Sequence, residues 1–250
     1  MQTPLKACHR GIVSEVQENT KDGIALAIKL GVDMIDLDVL ATNDNNMVLS
    51  HDSNVKDLVI GHKDTFIKTL SREEVKKLVI DTEIGSTKYK STNHFSFLDE
   101  VFDIYVEKII FWIDIKEPDY RPWQGECKIA PILAQFLADR QDKLNRVIIS
   151  STNPFVMIAV RRCAKQKKIL NKLTFGFDYG LTNAWYIRFA IWSGLLEKIF
   201  GSNYVTMDGN LLTQERINQY VKNNIKVMPY CYSKGSTQPF MNIYGYLMDY

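Results

Sequence analysis

DMIDLDV, residues 33–39, is a short apolar run interrupted by two carboxylates, Asp36 and Asp38, spaced two apart. On a strand that spacing sends both side chains to one face. Seven further runs rich in Val, Ile, Phe and Tyr accompany it: residues 4–9, 109–116 (IIFWIDIK), 146–151 (RVIISS), 173–177 (LTFGF), 203–207, 225–231 (IKVMPYC) and 243–248. Amphipathic helical segments separate them, the alternation expected of a parallel sheet. Eight strands with intervening helices predict an α/β chain closed as a (β/α)8 TIM barrel. Asn153 before Pro154 reads as an N-cap with proline at the first helical position, and Ser71 with Glu74 reads as a capping box. The long stretch between the second and third runs, about 53–108, is expected to be a small insertion at the barrel mouth carrying two helical patterns. No room is left after the last run for the eighth helix, so the reading expects either a shortened chain after Tyr250 or a barrel covered there by something else.

The chain has 250 residues, of which 46% are hydrophobic and 11% aromatic, enough to fill the core of one large domain spanning 1–250. Thirty-one basic against twenty-nine acidic residues give a net charge of +2. That balance argues against a nucleic-acid partner gripped through a broad basic face. Cys8, Cys127, Cys163 and Cys231 show no short regular spacing, so neither a zinc site nor a disulfide framework is indicated. With no signal-peptide pattern and no apolar stretch near the roughly 20 residues needed to span a bilayer, a cytoplasmic location is expected.

Paired carboxylates repel unless one is protonated or a cation lies between them, and an oxygen-rich cluster suits Mg²⁺ or Ca²⁺. Asp114 is a third acid in an otherwise apolar strand, and Lys116 shares its face. At the end of the first run stands His9-Arg10-Gly11, followed by Glu18-Asn19-Thr20. Histidine exchanges protons near neutral pH, arginine can hold two phosphate oxygens, and glycine admits close backbone approach. A second histidine, His51, is followed directly by Asp52. Strand-end salt bridges are the bland reading of the acids, and surface positions that of the histidines; His62 and His94, without such neighbours, are read as surface residues.

HRG (9–11), EN (18, 19), G-x-D-x-I-D-x-D-V (31–39), T-x-D (42–44), V-x-x-H-D (48–52) and I-D-I-K (113–116), in this order, resemble the glycerophosphodiester phosphodiesterase family. SST from Ser150, KVMPYCYS from Lys226 and GYLMDY from Gly245 agree more loosely, so the resemblance spans almost the whole chain. It implies a TIM barrel that hydrolyses glycerophosphodiesters to glycerol 3-phosphate and an alcohol. It also implies His9 and His51 as general acid and base, Asp36, Asp38 and Asp114 as ligands of a divalent cation, and Arg10 and Lys116 as phosphate-binding groups. Glu18 falls where the family has a site glutamate, expected to touch the metal, its waters or the substrate. Two departures stand out: the family usually has glutamate at the positions of Asp36 and Asp114, and tryptophan at that of Tyr230.

Two other readings stay open from sequence. One is a lysophospholipase D or a sphingomyelinase D-like enzyme acting on membrane lysolipids, which shares the barrel and the paired histidines. The other is a catalytically inactive binding barrel. The expected partner is a small glycerophosphodiester or lysophospholipid. Residues 184–200, AWYIRFAIWSGLLEKIF, read first as an outer helix packed on the barrel; the alternative is a peripheral membrane contact through an exposed part of it.

Overall fold

The computed structural model describes residues 4–59, 64–80, 94–117, 119–179, 193–231 and 240–250. Strands β1 (Leu5–His9), β2 (Met34–Ala41), β4 (Ile110–Ile115), β5 (Val147–Ser150), β6 (Thr174–Tyr179), β7 (Tyr204–Asp208), β8 (Lys226–Cys231) and β9 (Gly245–Met248) run parallel in the order β1-β9-β8-β7-β6-β5-β4-β2. Pairing of β1 with β2 closes the ring. This is the TIM barrel expected from the eight apolar runs. Between the strands lie α1 (Lys21–Lys29), α3 (Leu98–Tyr105), α4 (Ile129–Ala138), α5 (Pro154–Gln166), α6 (Leu195–Phe200) and α7 (Gln214–Lys222).

Local chemistry explains several element ends. Thr20 caps α1 by accepting from Gly23 N at 3.2 Å, and Asn153 caps α5 by accepting from Phe155 N, with Pro154 following as read from sequence. The Ser71–Glu74 capping box starts α2 (Arg72–Lys77). The chain departs from the sequence reading after β2. A short strand β3 (Met47–Leu49) turns back antiparallel on the outer half of β2, pairing Val39 with Leu49. Thr42 and Asp44 of the T-x-D motif build this turn: the threonine hydroxyl donates to Asp44 at 2.7 Å, and Asp44 also accepts from Arg72 N at 3.0 Å. A second difference concerns residues 53–108, read as insertion throughout. The segment carrying α2 has a small core of its own, including Val55, Ile67, Val75 and Phe95, but Leu98, Val101 and Phe102 of α3 pack in the main core. Thus α3 is the crossover helix between β2 and β4.

Alternation along the strands sorts the barrel interior. Ala7, Met34, Trp112, Ile148, Tyr204, Met228 and Leu247 form one internal cluster, a packed floor across the barrel. Two residues further along each strand, on the same face, stand His9, Asp36, Asp114, Ser150, Thr206, Tyr230 and Asp249. An apolar floor therefore underlies a polar mouth at the C-terminal ends of the strands. Most of the aromatic segment read as an outer helix or a membrane contact, residues 184–192, lies outside the described residues, as does His62. Of its remainder, Phe200 is buried and stacks on Phe177 at 5.5 Å between ring centroids, while Ile199 is exposed. His94 Nδ1 donates to Leu78 O at 3.1 Å. Among the described residues no helix is long and apolar enough to cross a membrane.

The floor leaves no space beside Trp112. A Cβ on Gly176 would stand 2.7 Å from Trp112 Cζ2, and the indole cannot turn freely because its Nε1 donates to Ser150 Oγ at 2.6 Å. Gly176→Ala is therefore expected to lower unfolding stability by about 1–3 kcal/mol through overpacking. Urea melts measure this, and Trp112→Phe in the same background should restore part of the loss; an unchanged midpoint in Gly176→Ala would show that the floor yields.

Candidate active site

The β1 end is shaped by backbone as much as by side chains. Arg10 has φ 60° and Gly11 φ 107°, so the chain reverses sharply after His9. Left-handed backbone at an arginine costs of order 1 kcal/mol, and surrounding hydrogen bonds hold it: Arg10 N donates to Asp36 O at 2.9 Å, and Asn19 N donates to Arg10 O at 2.8 Å. Gly11 packs so near α1 that a Cβ would lie 3.2 Å from Gly23 Cα. Asn19 then grips Asp38 twice, donating from Nδ2 to Oδ2 at 2.9 Å and accepting Asp38 N at 3.0 Å. The HRG and EN motifs thus fix one another and the second strand.

Hairpin β2–β3 explains how His51 reaches the same mouth. Ser50 N donates to Asp38 O at 3.0 Å, which puts the next residue beside the strand end. His51 Nδ1 lies 2.8 Å from Asp52 Oδ1, and His9 Nδ1 lies 2.9 Å from Asp249 Oδ1. Each histidine therefore has an aspartate at Nδ1, leaving Nε2 for other work. His9 Nε2 is 4.0 Å from Asp36 Oδ2. The His51 hydrogen bond holds the Asp52 carboxyl below its usual pKa.

The centre of the mouth is a buried ion network. Lys116 Nζ sits 2.5 Å from Asp114 Oδ2 and 3.0 Å from Asp38 Oδ1; Arg10 Nε lies 2.9 Å from Asp38 Oδ2, and its Nη1 reaches Glu18 at 3.2 Å. Ser150 Oγ links the network to the floor, donating to Asp114 Oδ1 at 3.3 Å. Burial opposes charge on Asp38, but Lys116, Arg10, His51 and Asn19 more than offset it and hold its pKa below the ordinary value. Asp36 has less support: burial, then the Asp38 and Asp114 charges, outweigh the opposing pull of Lys116 and push it well above the usual carboxylate range. Lys116 is raised despite burial by its aspartate neighbours.

His9, Arg10, Asp36, Asp38, His51, Asp114 and Lys116 come to this mouth. Glu18 is found against Arg10, and the Tyr230 hydroxyl donates to Tyr179 O at 2.7 Å. Three residues escaped the sequence reading: Asn19 as the clasp on Asp38, Asp249 as the partner of His9, and Asp178 at the end of β6. Strand parity could have found the last two, since Asp178 follows Thr174 and Gly176, and Asp249 follows Gly245 and Leu247, in steps of two. Asp178 accepts from Thr206 Oγ1 at 2.9 Å, and burial followed by the Asp114 charge pushes its pKa up to about 7.

Whether these residues suit a divalent cation can be tested on charge and donors. Glu18, Asp36, Asp38, Asp114 and Asp178 face two fixed cations, Arg10 and Lys116, and Asp36 Oδ1 is buried without a hydrogen-bond partner. Oxygen donors with an excess of negative charge fit Mg²⁺ or Ca²⁺. Among the described residues no three acidic, histidine or cysteine groups already converge on one point suited to an ion. Lys116 stands between Asp38 and Asp114, so the fit to a divalent cation rests on the chemistry of the donor set.

A family model described as the glycerophosphoryl diester phosphodiesterase family matches residues 9–246. A glycerophosphodiester phosphodiesterase of Caldanaerobacter subterraneus subsp. tengcongensis is 28% identical over 229 residues, covering 90% of this chain and 84% of the relative. Among solved structures, a glycerophosphodiester phosphodiesterase from Agrobacterium tumefaciens superposes with TM-score 0.73 at 14% identity, over 99% of this chain and 96% of the other. An Oleispira antarctica phosphodiesterase in complex with the product sn-glycerol-3-phosphate superposes with TM-score 0.69 at 17% identity, over 99% and 93%. At such identities the structural likeness speaks for the fold alone.

The acid cluster has a pH consequence for stability. The unfolded Asp178 carboxyl ionises near its ordinary value, about 3.9, while the folded one holds its proton to about 7. Between those values unfolding releases a proton, so stability falls as pH rises, and the loss is complete above the folded pKa. In chelator, Asp178→Asn is expected to raise the melting temperature by several degrees at pH 8 and by clearly less at pH 5. Calorimetry at both values checks this; an equal shift at the two would remove the charge repulsion argument.

Proposed function

This chain belongs to the glycerophosphoryl diester phosphodiesterase family and is a hydrolase of glycerophosphodiesters, and we propose that His9 and His51 are its acid and base and that Asp36, Asp38 and Asp114 hold an essential Mg²⁺ or Ca²⁺. The observation that carries this reading is the pairing of each histidine with its own aspartate, His9 with Asp249 and His51 with Asp52, around one buried carboxylate cluster. Such a carboxylate fixes the imidazole's orientation and favours a proton on Nδ1, so Nε2 is the atom that exchanges protons with the substrate.

A phosphodiester is an anion, and a nucleophile approaching it needs that charge offset. When bound, the divalent cation supplies positive charge to the phosphoryl oxygens and lowers the pKa of an attacking hydroxyl. Lys116 and Arg10 contribute fixed positive charge at the same mouth, and displacement of Lys116 from Asp114 frees its ammonium for a phosphate oxygen. Glu18, held against Arg10, orients the guanidinium. One histidine accepts the proton of the attacking hydroxyl, either water or a neighbouring glycerol hydroxyl, while the other donates to the leaving alcohol oxygen. The two must hold opposite protonation states at once, which gives a bell-shaped pH profile of kcat/KM. The apolar floor below keeps water from entering the barrel from underneath.

Two experiments test the reading. His9→Ala and His51→Ala should each lower kcat by about 10²–10⁴-fold on glycerophosphocholine, and the double variant should fall little further because the pair works in one proton-transfer cycle. Multiplicative losses would show independent roles. Exhaustive chelation should abolish activity and Mg²⁺ or Ca²⁺ should restore it; full turnover by chelated Asp38→Asn would dismiss the cation.

A further inference from the structure

Asp178 has no part in the mechanism above, yet it faces the same mouth. It ends β6 with the inward parity of Thr174 and Gly176, and Thr206 Oγ1 donates to its Oδ1 at 2.9 Å. The neighbouring charges that act on it most are Asp114 and Lys116, and Asp38 follows. Pairing of β6 with β7 sets Asp178 opposite Thr206, and strand parity turns it toward the mouth that the Lys116 bridge occupies. Asp36, only 5% exposed, offers Oδ1 to the same mouth with no hydrogen-bond partner. The Lys116 ammonium stands where the fields of four aspartates overlap.

We propose that Asp178, held by Thr206, is a fourth carboxylate of the divalent-cation site. The proposal rests on the reading that Asp36, Asp38 and Asp114 bind such a cation. Aspartate is one methylene shorter than glutamate, so an ion held by Asp36 and Asp114 lies closer to the strands, among the inward side chains, where the β6 residue is a natural contributor. A purely structural role does not need a carboxylate: asparagine would accept the Thr206 hydrogen bond without repelling Asp114. A carboxyl turned into a mouth that already holds Asp36, Asp38 and Asp114 is better suited to a cation than to a hydroxyl alone.

Calorimetric titration of Ca²⁺ and Mg²⁺ into the chelator-treated chain separates the outcomes. Asp178→Asn should weaken the parent's cation affinity by about tenfold or more, and Thr206→Val by a smaller factor, because the carboxylate loses its support. Asp178→Glu, which keeps the charge, should bind within a few-fold of the parent. Inorganic phosphate affinity of the cation-free chain should stay within about twofold in Asp178→Asn, because Arg10 and Lys116 remain. Parent-like cation affinity in a folded Asp178→Asn overturns the proposal and leaves the three-aspartate reading intact. Absence of cation binding by the parent removes both. Should Asp178→Asn fail to fold by circular dichroism, Thr206→Val decides, and unchanged affinity there overturns the proposal.

Discussion

The bridge made by the Lys116 ammonium between Asp114 and Asp38, at 2.5 and 3.0 Å, is the contact on which the mouth of the barrel depends. Two unit charges 4 Å apart interact by about 4 kcal/mol at an effective dielectric of 20, attracting or repelling alike. One ammonium can therefore cancel the repulsion of one carboxylate pair, not of a larger set. Arg10 supports Asp38 a second time and is itself shared with Glu18. After these pairings Asp36 and Asp178 have the least support, and burial with the neighbouring carboxylates raises the pKa of both. The same arithmetic that makes Lys116 indispensable leaves the site short of positive charge, by an amount a divalent cation suits.

Precision in such a cluster needs rigid support, and the barrel supplies it from below. Trp112 fills the floor, donates to Ser150, and Ser150 in turn donates to Asp114, so the third acid is tied to the core through two hydrogen bonds. Across the ring, register sets His9 beside Asp36 and Asp38 beside Asp114. The turn after β1 is held in a left-handed conformation at Arg10 and Asn19, a local cost offset by the clasp Asn19 makes on Asp38. Arg10 and Asn19 lie in the segment between β1 and α1, but their hydrogen bonds tie both to β2, so moving either shifts a charge in the network.

The barrel was legible because its strands are buried on both faces and so read as near-continuous apolar runs; β2 has no exposed residue at all. Charged residues within those runs, Asp36, Asp38 and Asp114, were legible for the same reason, as exceptions to an apolar rule. Asp178 was not, because the run LTFGF was taken to end at Phe177, one residue before a carboxylate that the observed strand includes. Asp249 was hidden by distance: nothing local joins residue 249 to residue 9, and only closure of the barrel between β1 and β9 does so. The three-residue β3 was too short for a periodicity, although it is the element that carries His51 to the site. The Thr42 and Asp44 pair, which resembled a functional motif, turned out to shape that hairpin and the start of α2.

A site built this way ties folding to function in one direction. Clustered carboxylates repel one another in the folded chain, and a positively charged ligand that binds only the folded form would stabilise it by mass action. Substituting Asp36 or Asp178 by a neutral residue would relieve that repulsion and lower the negative charge of the mouth. The buried, unpartnered oxygen of Asp36 is hard to explain as packing, since an apolar residue there would remove both the desolvation cost and the repulsion. The nearby charge that opposes this repulsion is Lys116, and it is already shared between Asp38 and Asp114.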